Sequence, residues 1–299
     1  MMKSSPIFTG SCCAIVTPFD KNGNPDFDEL GRIIEFQIEN KTDAIIACGT
    51  TGEASTLDDK EHLSVIEYII NKVNGRIPVV AGTGSNDTRH AVELCKSAKA
   101  LGATSFLMVT PYYNKTTQRG LVAHYTTVAD SVDTPIILYN VPSRTGVNIA
   151  PATLNTLADH PNIVGIKEAS GNMAQVVTML SLCGDRIDFY SGCDEINVPM
   201  MAVGAKGTIS VLANVAPLQT HNMIQCALEG NFEEAAKKQL EANELIGALF
   251  CEVNPIPVKE AMNIIGFNCG KTRMPLYEMA PENVEILKKA LANYGLIKA

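Results

Sequence analysis

Short, largely apolar runs alternate with helical stretches along most of this chain, and the alternation repeats eight times. The runs at 11–17, 44–48, 78–81, 105–109, 135–139, 163–167, 188–191 and 207–210 have the length and apolar character of strands covered on both faces. The segments at 26–40, 58–74, 88–101, 118–131, 151–159, 173–182, 195–203 and 215–229 read as helices. In the first of them Leu30, Ile33, Ile34 and Ile38 share one side, and Pro25-Asp26 is a start signal. Strands alternating with helices build a parallel sheet covered by helices. Eight cycles match a closed α/β barrel, the (β/α)8 or TIM barrel. An open doubly wound sheet would carry G-x-G-x-x-G after its first strand. The only near match is Gly82-x-Gly84, with Asp87 where the third glycine belongs. Three more helical segments, 232–250, 257–265 and 281–294, follow the last cycle. The expected organisation is a barrel with the active site over 1–230 and a C-terminal helical appendage over 231–299.

Composition narrows the partners. Of the 299 residues 46% are hydrophobic, enough for a large core, and mean hydropathy is +0.07. The net charge is −8 and the lysines and arginines are scattered, so no basic stripe marks a nucleic-acid partner. No apolar run reaches membrane-spanning length, and residues 1–10 lack the apolar core of a secretory signal. The expected location is the cytoplasm. Nine cysteines without a C-x-x-C read there as small buried hydrophobes. The five histidines form no H-E-x-x-H and pair with no cysteine at zinc spacing, so no metal site is expected.

The sixth apolar run, Ile163-Val164-Gly165-Ile166-Lys167, ends on a lysine. An ammonium on a strand covered on both faces loses water, which disfavours its charge and leaves a nucleophile toward ketones. Gly165, on the same face, is expected to leave space beside the amine. Alone, Lys167 also fits a strand-end side chain that reaches out to solvent. Other polar residues fall at the same strand ends, where a barrel places its active site. Thr50 and Thr51 follow the second strand, and Tyr113 the fourth. Tyr139 closes the fifth, with Arg144 just after it, and Gly192 follows the seventh. Singly each fits an ordinary loop or core role. Together they supply an amine, a phenol to move protons during dehydration, hydroxyls for one carboxylate and a guanidinium for a second.

Gly49-Thr50-Thr51-Gly52-Glu53, Pro111-Tyr112-Tyr113-Asn114-Lys115, Tyr139-Asn140-Val141-Pro142-Ser143-Arg144-Thr145-Gly146, Gly165-Ile166-Lys167-Glu168-Ala169 and Asn254-Pro255-Ile256-Pro257-Val258-Lys259 together resemble the dihydrodipicolinate synthase family, also called 4-hydroxy-tetrahydrodipicolinate synthases. The resemblance runs from about Phe8 to the C-terminus. It implies that Lys167 forms an imine with pyruvate, which serves as covalent substrate with no separate cofactor. The enamine would attack L-aspartate 4-semialdehyde to give 4-hydroxy-tetrahydrodipicolinate, the first committed step toward diaminopimelate and lysine. Tyr139 would shuttle protons, with Thr50 linking it to Tyr113, which would serve a neighbouring subunit's site. Thr51 would hold the pyruvate carboxylate and Arg144 that of the semialdehyde, with carbonyls near Gly192 and Ile209 lining the pocket. The implied assembly is a homotetramer built as a dimer of dimers, or a dimer. Lys259, which opens a C-terminal helix, reads as structural. N-acetylneuraminate lyase would share Lys167 and Tyr139 but would not need Arg144, and its threonine pair typically begins with serine. A catalytically idle binding barrel would not keep the whole imine machinery.

Feedback-inhibited relatives imply a lysine pocket, matched here by Ala54, Ser55, Asp59, His62, Asn86, His90 and Tyr112. Asp59 stands where sensitive enzymes carry histidine, and His90 where they carry the glutamate that meets the effector's charge. Losing an anionic partner for a half-buried ammonium costs about a few kcal/mol, unless Asp59 reaches the same pocket. Weak or absent inhibition by L-lysine is therefore expected. A steady-state lysine titration at the KM of both substrates checks it, and cooperative sub-millimolar inhibition would contradict it. His90→Glu is expected to strengthen lysine binding.

Overall fold

Parallel hydrogen bonding runs from each strand to the next and from the last back to the first, closing an eight-stranded barrel in the computed structural model, which describes residues 5–298. Residues 1–4, part of the N-terminal stretch weighed above as a signal, and residue 299 lie outside the described residues. The strands are β1 (Gly10–Ala14), β2 (Ala44–Ala47), β3 (Val79–Gly82), β4 (Phe106–Val109), β5 (Ile136–Asn140), β6 (Ile163–Glu168), β7 (Asp188–Ser191) and β8 (Gly207–Ser210). The (β/α)8 barrel expected from the alternation is the one observed. Strand alternation splits the core in two. Cys12, Ala44, Ile46, Val80, Leu107, Ile137, Tyr190 and Ile209 belong to a cluster inside the barrel. Cys13, Ile45, Ala81, Phe106, Ile136, Ile166 and Phe189 belong to a larger cluster with the surrounding helices.

Helix boundaries follow the capping residues. The helix Phe27–Glu39 has Asp26 as its N-cap, accepting from the Glu29 amide. The helix Asp59–Val73 has a full capping box between Asp58 and Glu61. Thr117, Asn172 and Asn231 cap the helices Gln118–Ser131, Met173–Cys183 and Phe232–Leu249 by accepting from the third helical amide. Of these polar starts the sequence reading named Asp26, where orphan N–H groups need an acceptor.

The first strand ends at Ala14 rather than at 17, and two further segments differ from expectation. The stretch 195–203 is not one helix. Asp194–Ile196 forms a 3-10 turn and the α-helix runs only Asn197–Ala202. Pro199 has no N–H to continue a helix begun at 195, and starting at Asn197 puts it in the first turn, where none is needed. The Asp194 carboxylate is turned inward and accepts from the Val211 and Leu212 amides at 2.9 Å each. The stretch 142–145, read as loop, is a four-residue helix Pro142–Thr145 that starts on its proline and carries Arg144.

The helices Phe232–Leu249, Ile256–Ile264 and Pro281–Asn293 follow the barrel, and their buried residues join its outer cluster. The expected boundary at 230/231 falls in the turn before the first of them. A buried ion pair ties this unit to the barrel. Lys259 Nζ lies 2.7 Å from Glu53 Oε1, with both side chains at most 2% exposed. Lys259 also donates to the Lys271 carbonyl at 3.0 Å and stands 3.9 Å from the centre of the Phe19 ring. The other Glu53 oxygen accepts from the Arg273 amide at 2.8 Å. The Arg273 guanidinium lies near the same ring, 4.4 Å from its centre, and is bidentate to Glu61 at 2.6 and 2.7 Å. Lys259 thus has the structural contacts its sequence position suggested. Removing one member leaves the other charge buried and unpaired, so Lys259→Met is expected to cost about 3–5 kcal/mol. Urea unfolding checks this, and the double variant Glu53→Gln/Lys259→Met is expected to be more stable than Lys259→Met alone.

Candidate active site

Lys167 projects into the barrel from the penultimate position of β6, one residue earlier than the strand end expected, because β6 continues to Glu168. Pairing places Tyr139 of β5 beside it on one side and Tyr190 of β7 on the other. The lysine is 6% exposed, and its Nζ stands 4.5 Å from the centre of the Tyr139 ring. The ring face is electron-rich and can hold the amine while the phenol stays in reach of protons.

The space around the amine has a different origin from the one expected. A Cβ on Gly165 would meet the Asp188 carbonyl at 3.1 Å and the Tyr190 ring at 3.3 Å. Gly165 therefore makes room for Tyr190, whose hydroxyl donates to the Phe8 carbonyl at 2.9 Å. The glycine that clears the lysine is Gly192, after β7. A Cβ there would lie 3.0 Å from both Cγ and Cε of Lys167. Side-chain alternation assigned Gly165 the right face but could not show which neighbour fills it.

The other expected residues take separate places on the rim. Thr50 is half-buried and Thr51 is 3% exposed, both in the loop after β2. The Thr51 hydroxyl oxygen accepts from Asn254 Nδ2 at 3.1 Å. Arg144 is solvent-exposed, and its Nη2 donates to the Asn254 backbone carbonyl at 3.0 Å. Ile209 is buried inside the barrel. Tyr113 does not join them: it is 91% exposed, on a left-handed backbone with φ +70°. Among the described residues no group of three or more His, Cys, Asp or Glu could hold a metal ion.

The model of the dihydrodipicolinate synthetase family matches residues 7–294. This chain belongs to that family. It is 56% identical over 291 residues to the 4-hydroxy-tetrahydrodipicolinate synthase of Caldicellulosiruptor saccharolyticus, covering 97% of this chain and 98% of that one. The crystal structure of the dihydrodipicolinate synthase of Aquifex aeolicus superimposes with a TM-score of 0.95 at 47% identity, covering 98% and 100% of the two chains. The chloride-inhibited enzyme of Acinetobacter baumannii, solved with pyruvate, gives 0.95 at 46% identity, covering 97% and 99%.

The positions read as an effector pocket make several pairwise contacts. Ala54 and Ser55 lie in a 3-10 turn, Ala54–Thr56. Asp59 and His90 are partners, with His90 Nε2 3.0 Å from Asp59 Oδ1, and His90 Nδ1 faces Ser85 Oγ at 3.1 Å. The acid and the base that depart from the sensitive pattern thus meet each other. Asn86 donates to the Tyr112 carbonyl at 3.2 Å. His62 is 7% exposed, with Nε2 2.7 Å from the Gly82 carbonyl, so that nitrogen carries the proton.

Two polar groups at the site had no role in the sequence reading. Asn254 contacts both carboxylate-binding candidates, although it is 203 residues from Thr51 in the chain. Its motif was visible, but the contact needs the fold. Glu168, beside Lys167, faces the other way. Its carboxylate accepts from Asn140 Nδ2 at 2.8 Å and the Ser170 amide at 2.7 Å, and Asn140 also binds Asn148, just after the Arg144 helix. Burial pushes the Glu168 carboxyl up, and these hydrogen bonds oppose the push.

Burial pulls the His62 imidazole below its ordinary pKa, against the Gly82 contact. The folded state keeps it neutral while the unfolded chain takes up a proton near pH 6.5. Its contribution to stability is therefore present above about pH 6.5 and lost as the pH falls. His124, also depressed by burial, acts with the same sign. Unfolding midpoints between pH 7.5 and 5.5 are expected to drop less in His62→Gln than in the parent protein.

Proposed function

We propose that this protein condenses pyruvate with L-aspartate 4-semialdehyde through an imine on Lys167. The observation that carries this reading is the buried Lys167 amine against the Tyr139 ring at 4.5 Å, below a rim that holds Thr51 and Arg144. The neutral amine adds to the pyruvate ketone, and the carbinolamine takes up a proton and loses water to give the iminium. Loss of a methyl proton then leaves an enamine, whose carbon attacks the semialdehyde aldehyde. The adduct's own amino group displaces Lys167 and closes the ring, giving 4-hydroxy-tetrahydrodipicolinate and the free lysine. Pyruvate is the covalent partner, and no separate cofactor takes part. Tyr139 moves the protons of dehydration and enamine formation, with Thr50 linking it to Tyr113. Thr51 binds the pyruvate carboxylate, Arg144 binds that of the semialdehyde, and backbone carbonyls near Gly192 and Ile209 line the pocket.

Tyr113 supports an assembly in which this ring completes a neighbour's site. A large aromatic held in solvent on a left-handed backbone contributes nothing to its own fold. The assembly we favour is a homotetramer built as a dimer of dimers. A cytoplasmic location fits nine free cysteines and the lack, among the described residues, of a helix long and apolar enough to cross a membrane. In the effector pocket Asp59 is engaged by His90, so an incoming lysine ammonium has to compete for it. This favours weak inhibition.

Borohydride reduction in the presence of pyruvate is expected to label Lys167 and to inactivate the enzyme. Arg144→Ala is expected to keep that label while losing about 1.5–3 kcal/mol of transition-state binding in kcat/KM for the semialdehyde. Label on Lys259, or none, would overturn the assignment.

A further inference from the structure

We propose that Asn254 is a positioning residue for pyruvate, acting through Thr51 by deciding that the Thr51 hydroxyl donates its proton to the substrate carboxylate. The proposal rests on the reading of Thr51 given above. Asn254 is 5% exposed and lies two residues before the helix Ile256–Ile264. Its Nδ2 is 3.1 Å from Thr51 Oγ1. An amide N–H only donates, whereas a hydroxyl has one proton and two acceptor lone pairs. With Asn254 donating into one lone pair, the Thr51 proton is left for another partner. A carboxylate accepts only, so that proton is what pyruvate binding needs. In the reverse arrangement the Thr51 proton would go to the amide oxygen, and the hydroxyl would offer pyruvate nothing.

Three further observations fit. Asn254 Oδ1 is buried with no protein partner among the described residues, a poor arrangement if the side chain served stability alone. The Asn254 backbone carbonyl accepts from Arg144 Nη2 at 3.0 Å, so the residue stands between the two carboxylate binders. Lys259, five residues further on, holds Glu53 at 2.7 Å. The segment 254–259 therefore grips the loop 51–53 at both ends, which fixes the Asn254 amide against Thr51.

Kinetics on the full-length enzyme test this. Thr51→Val alone is expected to raise the KM for pyruvate about tenfold or more, the loss of a hydrogen bond to a charged group. No effect there overturns the reading of Thr51 itself. Asn254→Ala is expected to raise the pyruvate KM about three- to tenfold and leave the semialdehyde KM within about twofold, since the backbone contact to Arg144 remains. In the Thr51→Val background Asn254→Ala is expected to add nothing, because its target is gone. Independent, additive effects overturn the proposal. Asn254→Asp keeps the shape and serves if the alanine variant does not fold. Its carboxylate cannot donate to Thr51, so its pyruvate KM, relative to the parent enzyme, is expected to be raised at pH 8. The ratio should fall as the pH drops and the carboxyl regains a proton to donate. A pyruvate KM equal to the parent's across that range also overturns the proposal.

Discussion

Closure of the parallel sheet is the constraint on which the rest depends. In a closed barrel every strand has two neighbours and every strand end meets the same rim. Lys167 can sit with its amine inside the protein because β5 and β7 flank it, giving it an aromatic face on one side and a cleared position on the other. An open sheet would leave such a side chain at an edge or under a helix. Tyr190, seated in the space left by Gly165 and bonded to the Phe8 carbonyl, fills the barrel interior on the β7 side of the lysine.

The C-terminal helices are a second support rather than an attachment. Glu53, two residues beyond Thr51, is neutralised inside the protein by Lys259 and bonded by the Arg273 amide, while Phe19 packs against both cations. A loop with a left-handed Glu53 (φ +55°) would be mobile if left to itself. Charges this well buried are costly unless every partner is in place, so the pair enforces one geometry of the loop. On the far side, the chain of bonds from Glu168 through Asn140 to Asn148 joins the lysine strand to the segment that follows the Arg144 helix. The loop of Thr51 and the strand of Lys167 are thus each tied down by a polar network, and neither network contains the reacting amine.

The sequence by itself determined the repeating strand and helix pattern, the polar start of the first helix, and the lysine near the end of the sixth strand. These are local properties: a period, a missing acceptor at a helix start, a charge in an apolar run. The helix at 195–203 was misread although Pro199 is a local signal against a start at 195. Only the tertiary structure decided which glycine clears Lys167, that Asp59 and His90 meet, and that Asn254 reaches Thr51 across 203 residues. Those contacts join elements whose relative placement depends on barrel closure and on docking of the last helices. Pairings between distant residues leave no periodic trace in either partner's own segment, so one chain read alone cannot contain them.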